Sequence, residues 1–444
     1  MINIAKAPLE LNSRRFYLGL ALALGLHLFL ISLPIAFWVD MNLYKAWSID
    51  MVQQGFANFY NYSTNCDYPP AYLYVLWLIG KIYQFFDPSF SHTDGLLLTI
   101  LIKIPPVLAD IASAFLIAQI LKAHTSVDKA YTMGLIYAFN PLMLFVSAVW
   151  GQVDGIMTLL MLWAFYLIQQ NHIVRAGLLI AVMVIVKPQG LFFAPFLVLS
   201  QWFRQTWWKW GAITAGGVVA IWLIILPFYE VGSTAVVGMI NPFLSLYKLL
   251  RATADYYSFA SVNAFNFWGW ANWIRDYTTF GGFSYKVIGL CLLGILLGWL
   301  AIFLYQQRHH QAQFAGQCLA LSTMLFGFFM LPTRMHERYM LYGLAFLAIA
   351  IALIPVVRWL YWGLTLTGAV NVGYAYLRYN YEDLFYAIPE IWLQSVVYIT
   401  SAVNVTLFAL MLFHTFRMFR QQSQQSQQSQ QSLLSVPLTS EGSR

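Results

Sequence analysis

The sequence predicts an all-α polytopic membrane protein. Of the 444 residues, 60% are hydrophobic and only 9% are charged, and the mean hydropathy is +0.65. These values lie far outside the range of soluble globular domains. The apolar residues are grouped into runs long enough to cross a bilayer as helices. Aromatic residues reach 18% of the chain, which is typical of the tryptophan and tyrosine belts at the ends of membrane helices.

The basic residues and the cysteines exclude two other classes of protein. The formal net charge is +7, but the lysines and arginines are scattered singly between apolar runs, so we expect no nucleic-acid partner. Cys66, Cys291 and Cys318 make no disulfide framework, because the last two lie inside apolar segments. Membrane lipid and membrane orientation explain the basic residues better.

The first predicted span is the apolar run from Phe16 to Val39, and Asp40 follows it directly. The run is too long for the apolar core of a cleaved signal peptide, so we expect it to remain as a signal anchor. Three basic residues precede it against one acid. The positive-inside rule therefore places residues 1–15 in the cytoplasm and Asp40 on the outer face.

A long first outer loop is predicted from residue 40 to residue 95. Its most apolar part, Tyr68 to Phe86, is marginal in length for a span, begins beside two prolines and carries Lys81 and Gln84. We therefore expect juxtamembrane or re-entrant helices here rather than a second span. A true span would invert the orientation of everything that follows it.

The remaining apolar runs predict further spans, which make about twelve with the first. They fall near residues 96–121, 131–150, 153–170, 174–187, 191–203, 211–229, 284–306, 312–331, 338–357, 359–377 and 391–416. In this arrangement the short cytoplasmic loops are basic, with the single acid Asp128, and almost every other carboxylate falls on the outer face. The asymmetry obeys the positive-inside rule, and it places both termini in the cytoplasm.

Three larger regions follow from this arrangement. Residues 16–230 would form a catalytic module that includes the outer loop 40–95. Residues 231–420 would supply C-terminal helices and an outer loop, 231–282, which together form a groove for donor and acceptor. The tail, 421–444, is rich in glutamine and serine and predicts a disordered cytoplasmic segment.

Four polar clusters lie at the outer ends of predicted spans. They are Asp40 with the Asp67-Tyr68-Pro69-Pro70 turn, Trp150-Gly151-Gln152-Val153-Asp154, Lys187-Pro188-Gln189-Gly190, and Arg334-Met335-His336-Glu337-Arg338. The third cluster separates two short apolar segments, and broken helices at membrane depth are tolerated where they line a watery cavity. We therefore expect a cavity that opens to the outer face, with all four clusters facing the same compartment.

Asp40 is the candidate general base. A carboxylate can accept the proton of a sugar hydroxyl as that oxygen attacks an anomeric carbon, and the cost of a charge at membrane depth favours a functional role. The alternative is that Asp40 only solvates a helix end. Asp67 and Tyr68 are candidates for substrate binding, but Asp67 could equally cap the helix that follows its two prolines.

The late cluster supplies candidate ligands for a donor phosphate. Arg334 and Arg338 can bind phosphate through their planar guanidinium groups, and His336 can donate a hydrogen bond to the same oxygens. Alternatively, the cluster is a structural ion-pair knot around Glu337. Lys187 could bind phosphate as a point charge, or it could extend to the membrane interface.

The other candidates would bind substrate. Gln152 and Asp154 lie in a tight hairpin between two spans, where they could bind sugar hydroxyls or a cation, or satisfy backbone groups of the turn. Gln189 and Glu337 join them as candidate substrate ligands. The sequence contains no His-Glu-x-x-His spacing, so a zinc site is not expected.

The motifs occur in a recognisable order. An Asp follows the first span, then come Asp-Tyr-Pro-Pro, Lys-x-Pro-Pro-x-x-x-Asp, Asn-Pro before Trp-Gly-Gln-x-Asp, and a late His-Glu-Arg. This order resembles integral membrane glycosyltransferases of the GT-C fold. Within that fold it is similar to bacterial proteins related to the GPI-anchor mannosyltransferases and, more distantly, to the dolichyl-phosphate-glucose glucosyltransferases. The resemblance extends over roughly Phe16 to Tyr339.

The resemblance implies a reaction and its partners. A sugar, such as the hexose mannose, would pass with inversion from a polyprenyl-phosphate donor to a glycan, lipid or protein acceptor on the outer or lumenal face. It implies that Asp40 is catalytic and that His336 lies near the donor phosphate. Met41 follows Asp40 where many relatives carry a second acid, so a divalent metal cofactor is not favoured. The membrane would be the bacterial cytoplasmic membrane or the endoplasmic reticulum.

Two other functions are compatible with parts of the pattern. A transporter or a flippase for lipid-linked sugars would also carry intramembrane charges and broken helices. Such proteins often contain two related halves, and no repeated halves are visible in this sequence. A purely structural scaffold would leave the one-sided carboxylates without an explanation.

Overall fold

A computed structural model describes residues 6–63, 66–229, 235–307 and 313–434. Helices dominate these ranges, with two short pairs of strands. The helices are α1 (Lys6–Ile31), α2 (Trp38–Gln53), α3 (Gly55–Tyr62), α4 (Pro70–Phe86), α5 (Leu96–Lys122), α6 (Val127–Ala138), α7 (Pro141–Leu144), α8 (Asp154–Gln169), α9 (Ile173–Val186), α10 (Ala194–Gln201), α11 (Trp207–Ile225), α12 (Ala235–Tyr256), α13 (Tyr285–Gln307), α14 (Gln313–Met330), α15 (Leu341–Leu353), α16 (Arg358–Asn380), α17 (Glu382–Tyr386) and α18 (Glu390–Leu434).

The predicted class, an all-α polytopic membrane protein, is confirmed. Among the described helices, six are long and apolar enough to cross a membrane. They are Asn12–Ile31 within α1, Leu96–Lys122, Trp207–Phe228, Tyr285–Gln307, Gln313–Met330 and Glu390–Met418 within α18. The pair Val127–Ala138 and Pro141–Trp150, bent by 40° between them, would be a seventh span.

The number of twelve spans stays a prediction. Helices α8, α9, α10 and α15 occupy predicted spans but have 16, 14, 8 and 13 residues, shorter than the roughly 20 that a simple span needs. Helix α16 has 23 residues but is not among those that meet the criteria for an apolar span.

The first predicted span differs from the structure. The apolar run from Phe16 to Val39 is not one helix, because α1 ends at Ile31 and α2 begins at Trp38. Pro34 lies in the break, where a proline removes a backbone donor and disfavours helix in the residue before it. Asp40 therefore belongs to the first turn of α2 rather than to the end of the first membrane helix.

The predicted outer loop 40–95 carries helices. It contains most of α2, together with α3 and α4. Helix α4 packs against α2, α5, α9 and α11, and it is not among the candidate spans. Its Gly80 lies so close to the backbone of Ser48 that a methyl group would collide with the carbonyl oxygen. This close approach fixes α2, and with it Asp40, against α4.

Helix α15 forms the centre of the bundle. Every residue from Leu341 to Ala352 is buried, as expected for a helix that is apolar on all sides. It packs against α5, α6, α8, α14 and α16. Its first turn follows the late polar cluster directly, so the centre of the fold positions residues 334–338.

The strands connect the late cluster to the segment that follows α12. Strand β1 (Ser261–Val262) pairs in parallel with β4 (Met335–His336), and Val262 is in register with His336. Strands β2 (Thr279–Phe280) and β3 (Phe283–Ser284) form a separate antiparallel hairpin. The parallel pair therefore fixes the backbone of His336.

The C-terminal helix enters the glutamine- and serine-rich tail. Helix α18 continues to Leu434, and the disordered cytoplasmic tail over residues 421–444 stays a prediction. Glutamine is a good helix former, and the segment extends a helix that is already nucleated by the membrane-spanning part. Residues 435–444 lie outside the described part of the chain, as do residues 230–234 at the start of the predicted second outer loop.

Candidate active site

A cavity of about 260 Å³ lies where α2, α12 and the late cluster meet. Nine of the eleven residues predicted for the site line it. They are Asp40, Asp67, Tyr68, Gln152, Lys187, Gln189, Arg334, His336 and Arg338. The two others, Asp154 and Glu337, lie behind the wall and contact residues that line it. Four clusters that are far apart in sequence thus meet in one cavity.

One oxygen of Asp40 is held by two donors. The indole Nε1 of Trp150 donates to Oδ2 at 2.8 Å, and the amide Nε2 of Gln152 donates to the same oxygen. Among the residues that the structure describes, no donor bonds Oδ1 of Asp40. The carboxylate is therefore oriented through one oxygen while the other remains available to a substrate.

The start of α2 is fixed from two sides. The backbone N–H of Phe37 donates to the carbonyl of Trp150 at 3.2 Å, and the two rings stack with centroids 3.9 Å apart. Asn380, the last residue of α16, accepts from the backbone N–H of Trp38 at 3.2 Å and donates to the carbonyl of Ala36. The first turn of α2 therefore holds Asp40 in a defined position.

A helix irregularity aims Trp150 and Gln152 at Asp40. Asn140 caps α7 by accepting from the backbone of Leu142 at 2.9 Å, and the chain continues as a π-helical turn, Phe145–Trp150. It then reverses at Gly151, which has a φ of +90°, a conformation that favours glycine. A Cβ there would lie 2.6 Å from the end of the Met41 side chain.

Two tyrosines orient the amide of Gln152. The hydroxyl of Tyr44 donates to its Oε1 at 3.0 Å, and the hydroxyls of Tyr44 and Tyr68 are 2.8 Å apart. An amide whose oxygen accepts from a hydroxyl must point its nitrogen the other way, here towards Asp40. Tyr68 thus contributes to the wall of the cavity and, through Tyr44 and Gln152, to the position of the carboxylate.

Asp67 provides a second carboxylate. It does not cap α4, whose N-cap residue is Pro69 without a side-chain cap bond. Its backbone carbonyl accepts from Thr253 of α12 at 3.2 Å, and Asp67 lines the cavity. Burial raises the pKa of Asp67 above its ordinary value, and the negative charge of Asp40 raises it further.

Asp154 holds two cations in place. Its side chain is fully buried, and its Oδ1 accepts from Nζ of Lys187 at 2.7 Å and from the hydroxyl of Tyr342. Its Oδ2 lies 3.2 Å from Nε of Arg338. A buried carboxylate between two cations compensates their charge and fixes their geometry. Lys187 and Arg338 both line the cavity from this anchor.

Glu337 and His336 complete this wall. Glu337 is buried and accepts from Nη1 of Arg338. His336 packs edge-on against the rings of Tyr257 and Tyr339, at centroid distances of 4.7 and 5.3 Å. Burial, and then the positive charges of Arg338 and Lys187, lower the pKa of His336 well below its ordinary value. The imidazole is therefore neutral near pH 7 and can donate one N–H bond.

Arg334 faces the cavity but already has several partners. Its Nε donates to Asp276 at 2.6 Å, and its Nη1 donates to the carbonyl of Ala254 at 2.5 Å and to Asp255 at 3.3 Å. The residue has a φ of +67°, which is uncommon for a residue with a side chain. Arg334 therefore ties the late cluster to α12 and to the segment after it.

Gln189 and α12 form the remaining wall. The amide of Gln189 donates to the hydroxyl of Tyr339 at 2.6 Å. Leu250, Thr253 and Ala254 of α12 line the cavity opposite α2. In the described ranges, no three His, Cys, Asp or Glu side chains are grouped so that they could hold a metal ion.

Sequence reasoning missed several residues of this site. Trp150 stands in a motif that was recognised, yet its role as a donor to Asp40 was not expected. Tyr44 lies four residues after Asp40, a spacing that places both on one helix face. Tyr342, in the first turn of α15, donates to Asp154, which was not expected either. The spacing of Asp40 and Tyr44 was a readable signal. Helix α12 lies within the outer loop 231–282 that was expected to help form the groove.

A family model described as glycosyltransferase family 87 matches residues 68–332, more than half of the 444 residues. The chain belongs to glycosyltransferase family 87. It is therefore a membrane glycosyltransferase, and the transporter alternative gains no support. No curated protein matches the chain.

The residues matched by the model of glycosyltransferase family 87 include only part of the candidate site. The matched range includes Gln152, Asp154 and Lys187 but ends before the late cluster and begins after Asp40. The GT-C fold and the likeness to proteins related to the GPI-anchor mannosyltransferases stay predictions. The roles of Asp40 and of residues 334–338 therefore depend on their geometry.

Proposed function

We propose that the chain transfers a sugar from a polyprenyl-phosphate donor to a hydroxyl group of an acceptor, with inversion at the anomeric carbon and Asp40 as general base. The observation that carries the proposal is the shared cavity. The oriented carboxylate of Asp40 and the cations of Lys187 and Arg338 line it together. A base on one side and cations on the other are the two groups that a single displacement requires.

The acceptor would be activated by the free oxygen of Asp40. Oδ1 takes the proton of the acceptor hydroxyl as that oxygen forms its bond to the anomeric carbon. In the same step the bond from the anomeric carbon to the phosphate oxygen breaks, and the polyprenyl phosphate leaves with both electrons. Trp150 and Gln152 hold Oδ2 throughout, so the carboxylate need not reorient during the reaction.

The leaving phosphate would be bound by the opposite wall. Arg338 and Lys187 supply positive charge, and neutral His336 supplies an N–H donor. Asp154 and Glu337 act through these cations by holding them in place. Arg334 lies at the edge of this group. Its guanidinium already donates to Asp276 and Asp255, so it would bind the phosphate through a remaining N–H while it keeps these bonds.

The sugar would occupy the space between base and phosphate. Gln189, Tyr68 and Asp67 line this space and can bind its hydroxyl groups. Asp67, with its raised pKa, can donate a hydrogen bond when protonated as well as accept one. We propose a hexose such as mannose, an acceptor that is a glycan, a lipid or a protein, and a site that faces the outer or lumenal side of the membrane.

A transfer assay with purified protein tests the proposal. The donors are undecaprenyl- or dolichyl-phosphate mannose, glucose and arabinose, and the readout is release of polyprenyl phosphate that depends on an acceptor. One donor should be consumed by the wild type and by Asp50→Asn, a matched change on α2 outside the cavity. Asp40→Asn should fold normally and show no turnover. Full activity of Asp40→Asn, or consumption of no lipid-linked donor, would refute the proposal.

A further inference from the structure

A second polar cavity lies at the other end of the helix bundle. It has a volume of about 540 Å³ and is lined by residues at the ends of α5, α8, α10 and α14. Helix α8 begins with Asp154 beside the candidate active site and ends with Gln169 in this cavity. At 1.5 Å per residue the two ends are about 22 Å apart. The second cavity is therefore separate from the site of sugar transfer.

The lining of this cavity is rich in carboxamides. They belong to Gln169, Asn171, Gln201, Gln205, Gln313 and Gln317. Carboxamides donate and accept hydrogen bonds, which suits hydroxyl groups and phosphodiester oxygens. Several of these carboxamides hydrogen-bond to one another. Gln169 donates to Gln317 at 2.9 Å, and Gln205 donates to Gln201 at 3.1 Å.

The charge of the cavity is positive. Arg204 lines it, and Lys209 donates to the carboxamide of Gln205 at 2.7 Å. His124 stacks on Phe314 at a centroid distance of 3.5 Å and forms another part of the wall. Among the described lining residues none carries a carboxylate. An anion is therefore the ligand that this arrangement favours.

An apolar groove flanks the same helix end. It has a volume of about 310 Å³ and lies between α10 and α13, lined by Val198, Leu199, Trp202, Phe203, Ala301 and Tyr305. Gln201 faces the polar cavity and the next residue, Trp202, faces the groove. The polar cavity would suit a polar head group, and the groove on the other side of the same helix terminus would suit an apolar chain.

Tryptophans mark this end of the bundle as a membrane interface. Trp202, Trp207 and Trp208 are 55%, 85% and 54% exposed, and exposed tryptophans gather at the level of lipid head groups. These tryptophans favour a position of the polar cavity at the depth of lipid phosphates rather than in bulk water. This position distinguishes a lipid from a soluble phosphate as the ligand.

We propose that this second cavity binds the phosphate-bearing head group of an anionic phospholipid from the membrane leaflet opposite to the candidate active site. Arg204 binds the phosphate, the carboxamides bind the hydroxylated substituent, and one acyl chain lies in the groove between α10 and α13. The site is independent of the proposed sugar transfer, and its occupant is a bound lipid rather than a substrate.

Lipid binding to the delipidated full-length protein tests the proposal. The probes are phosphatidylglycerol, phosphatidylethanolamine with the same acyl chains, and water-soluble glycerol 1-phosphate. Native mass spectrometry measures the bound lipid, and thermal unfolding measures the stabilisation that a ligand of the folded state produces. Phosphatidylglycerol should bind more tightly than phosphatidylethanolamine and raise the unfolding temperature, and glycerol 1-phosphate alone should do neither.

Two variants separate the head group from the chain. Arg204→Gln should weaken phosphatidylglycerol binding by at least about tenfold, the effect of losing one charged hydrogen bond. Arg358→Gln, on the exposed start of α16 at the same end of the bundle, is the matched control and should bind normally. Ala301→Trp should fill the groove and weaken binding without touching the head group. If either variant fails to fold, the other still decides the question.

The proposal is overturned by any of three results. These are equal affinity for phosphatidylglycerol and phosphatidylethanolamine, an equal loss in Arg204→Gln and Arg358→Gln, and displacement of the lipid by glycerol 1-phosphate at matched concentration. The last result would assign the cavity to a soluble phosphate ester.

Discussion

Trp150 donates a 2.8 Å hydrogen bond from its indole nitrogen to Oδ2 of Asp40, although 110 residues separate them in the sequence. Trp150→Phe removes this donor and keeps a ring that can stack on Phe37. A hydrogen bond to a charged group contributes about 1.5–3 kcal/mol. We expect kcat to fall by about tenfold or more, with KM nearly unchanged, because the bond orients the base and does not touch substrate.

Steady-state kinetics of sugar transfer measures this effect. Trp163→Phe, at a half-exposed position on α8, is the matched control and should behave as wild type. A rise in KM at constant kcat would show instead that Trp150 acts on substrate binding.

Gln152 offers a test through pH. Gln152→Glu places a second carboxylate beside Oδ2 of Asp40, and a like charge raises the pKa of a carboxyl group. The pair then holds a proton up to a higher pH, so the base is deprotonated only at higher pH. We expect the acid limb of the kcat/KM profile to move towards higher pH and activity to recover in alkaline buffer.

The comparison variant is Gln152→Leu, which removes the donor without adding charge. Its activity should fall across the pH range, and its acid limb should move less than that of Gln152→Glu, because no second carboxylate is added. Identical profiles for the two variants would contradict the assignment of Asp40 as the general base.

The buried carboxylate of Asp154 should contribute to the stability of the folded protein. Asp154→Asn leaves Lys187 and Arg338 with less compensating charge in a buried place, and breaking one partner of a buried ion pair costs about 3–5 kcal/mol. We expect a clear fall in the unfolding temperature of the detergent-solubilised protein. Adding Lys187→Met should restore part of the lost unfolding temperature, because it removes one of the two uncompensated cations.

A double-mutant cycle of thermal unfolding measures this coupling, expected at about 1–3 kcal/mol. The double variant should remain inactive, since Lys187 also lines the cavity. Strict additivity of the two changes would mean that the 2.7 Å contact contributes nothing to stability.

His336 should make folding sensitive to acid. Its pKa in the folded protein lies well below the ordinary value of about 6.5. As the pH falls through 6.5, the unfolded chain takes up a proton that the folded chain does not, so the folded state loses stability. We expect the wild-type unfolding temperature to drop between pH 7.5 and pH 5.5, and to drop less in His336→Asn.

The exposed His172 supplies the control, because His172→Asn should keep the wild-type slope. Turnover adds a second readout. Asparagine retains an N–H donor, so His336→Asn should keep more activity than His336→Leu. A slope unchanged by His336→Asn would mean that another group causes the loss of stability.

Gly151 should tolerate no side chain. Gly151→Ala adds a Cβ 2.6 Å from the end of Met41 at a φ of +90°, a strain that costs about 1–3 kcal/mol. Because Gly151 separates Trp150 from Gln152, we expect activity to fall further than stability. Gly25→Ala, where a Cβ meets nothing within 4 Å, is the control for the same change in an open place.

Adding Met41→Ala to Gly151→Ala removes the collision and leaves the backbone strain. Partial recovery of activity is expected, and full recovery would show that the collision alone matters.

Parts of the fold and the site could be read from the sequence because they depend on local composition. The membrane class followed from apolar runs, and nine of the proposed residues meet in one cavity because polar clusters in such a chain gather where helices end. The break before α2 was also readable, since Pro34 lies inside the first predicted span. The extension of α18 to Leu434 was not expected, because a segment rich in glutamine and serine is predicted from its composition to be disordered.

Other parts depend on packing that no local pattern reports. The π-helical turn before Gly151 has the same apolar sequence character as an ordinary helix, yet it sets the direction of Trp150. Bonds such as that from Gln152 to Asp40 depend on how helices pack across the bundle. Which residues of the predicted outer loop 231–282 reach the cavity, such as Thr253 and Ala254 of α12, likewise depends on tertiary structure, since this loop carries no motif.

The pairing of β1 with β4 has a mechanical consequence. The backbone of Arg334 donates to the carbonyl of Phe259 at 2.9 Å, its side chain bonds to Ala254 and Asp276, and Val262 is in register with His336. The cationic wall and the end of α12 are therefore one connected unit rather than two separate parts. A displacement of the end of α12 would carry the backbone of residues 334–336 with it.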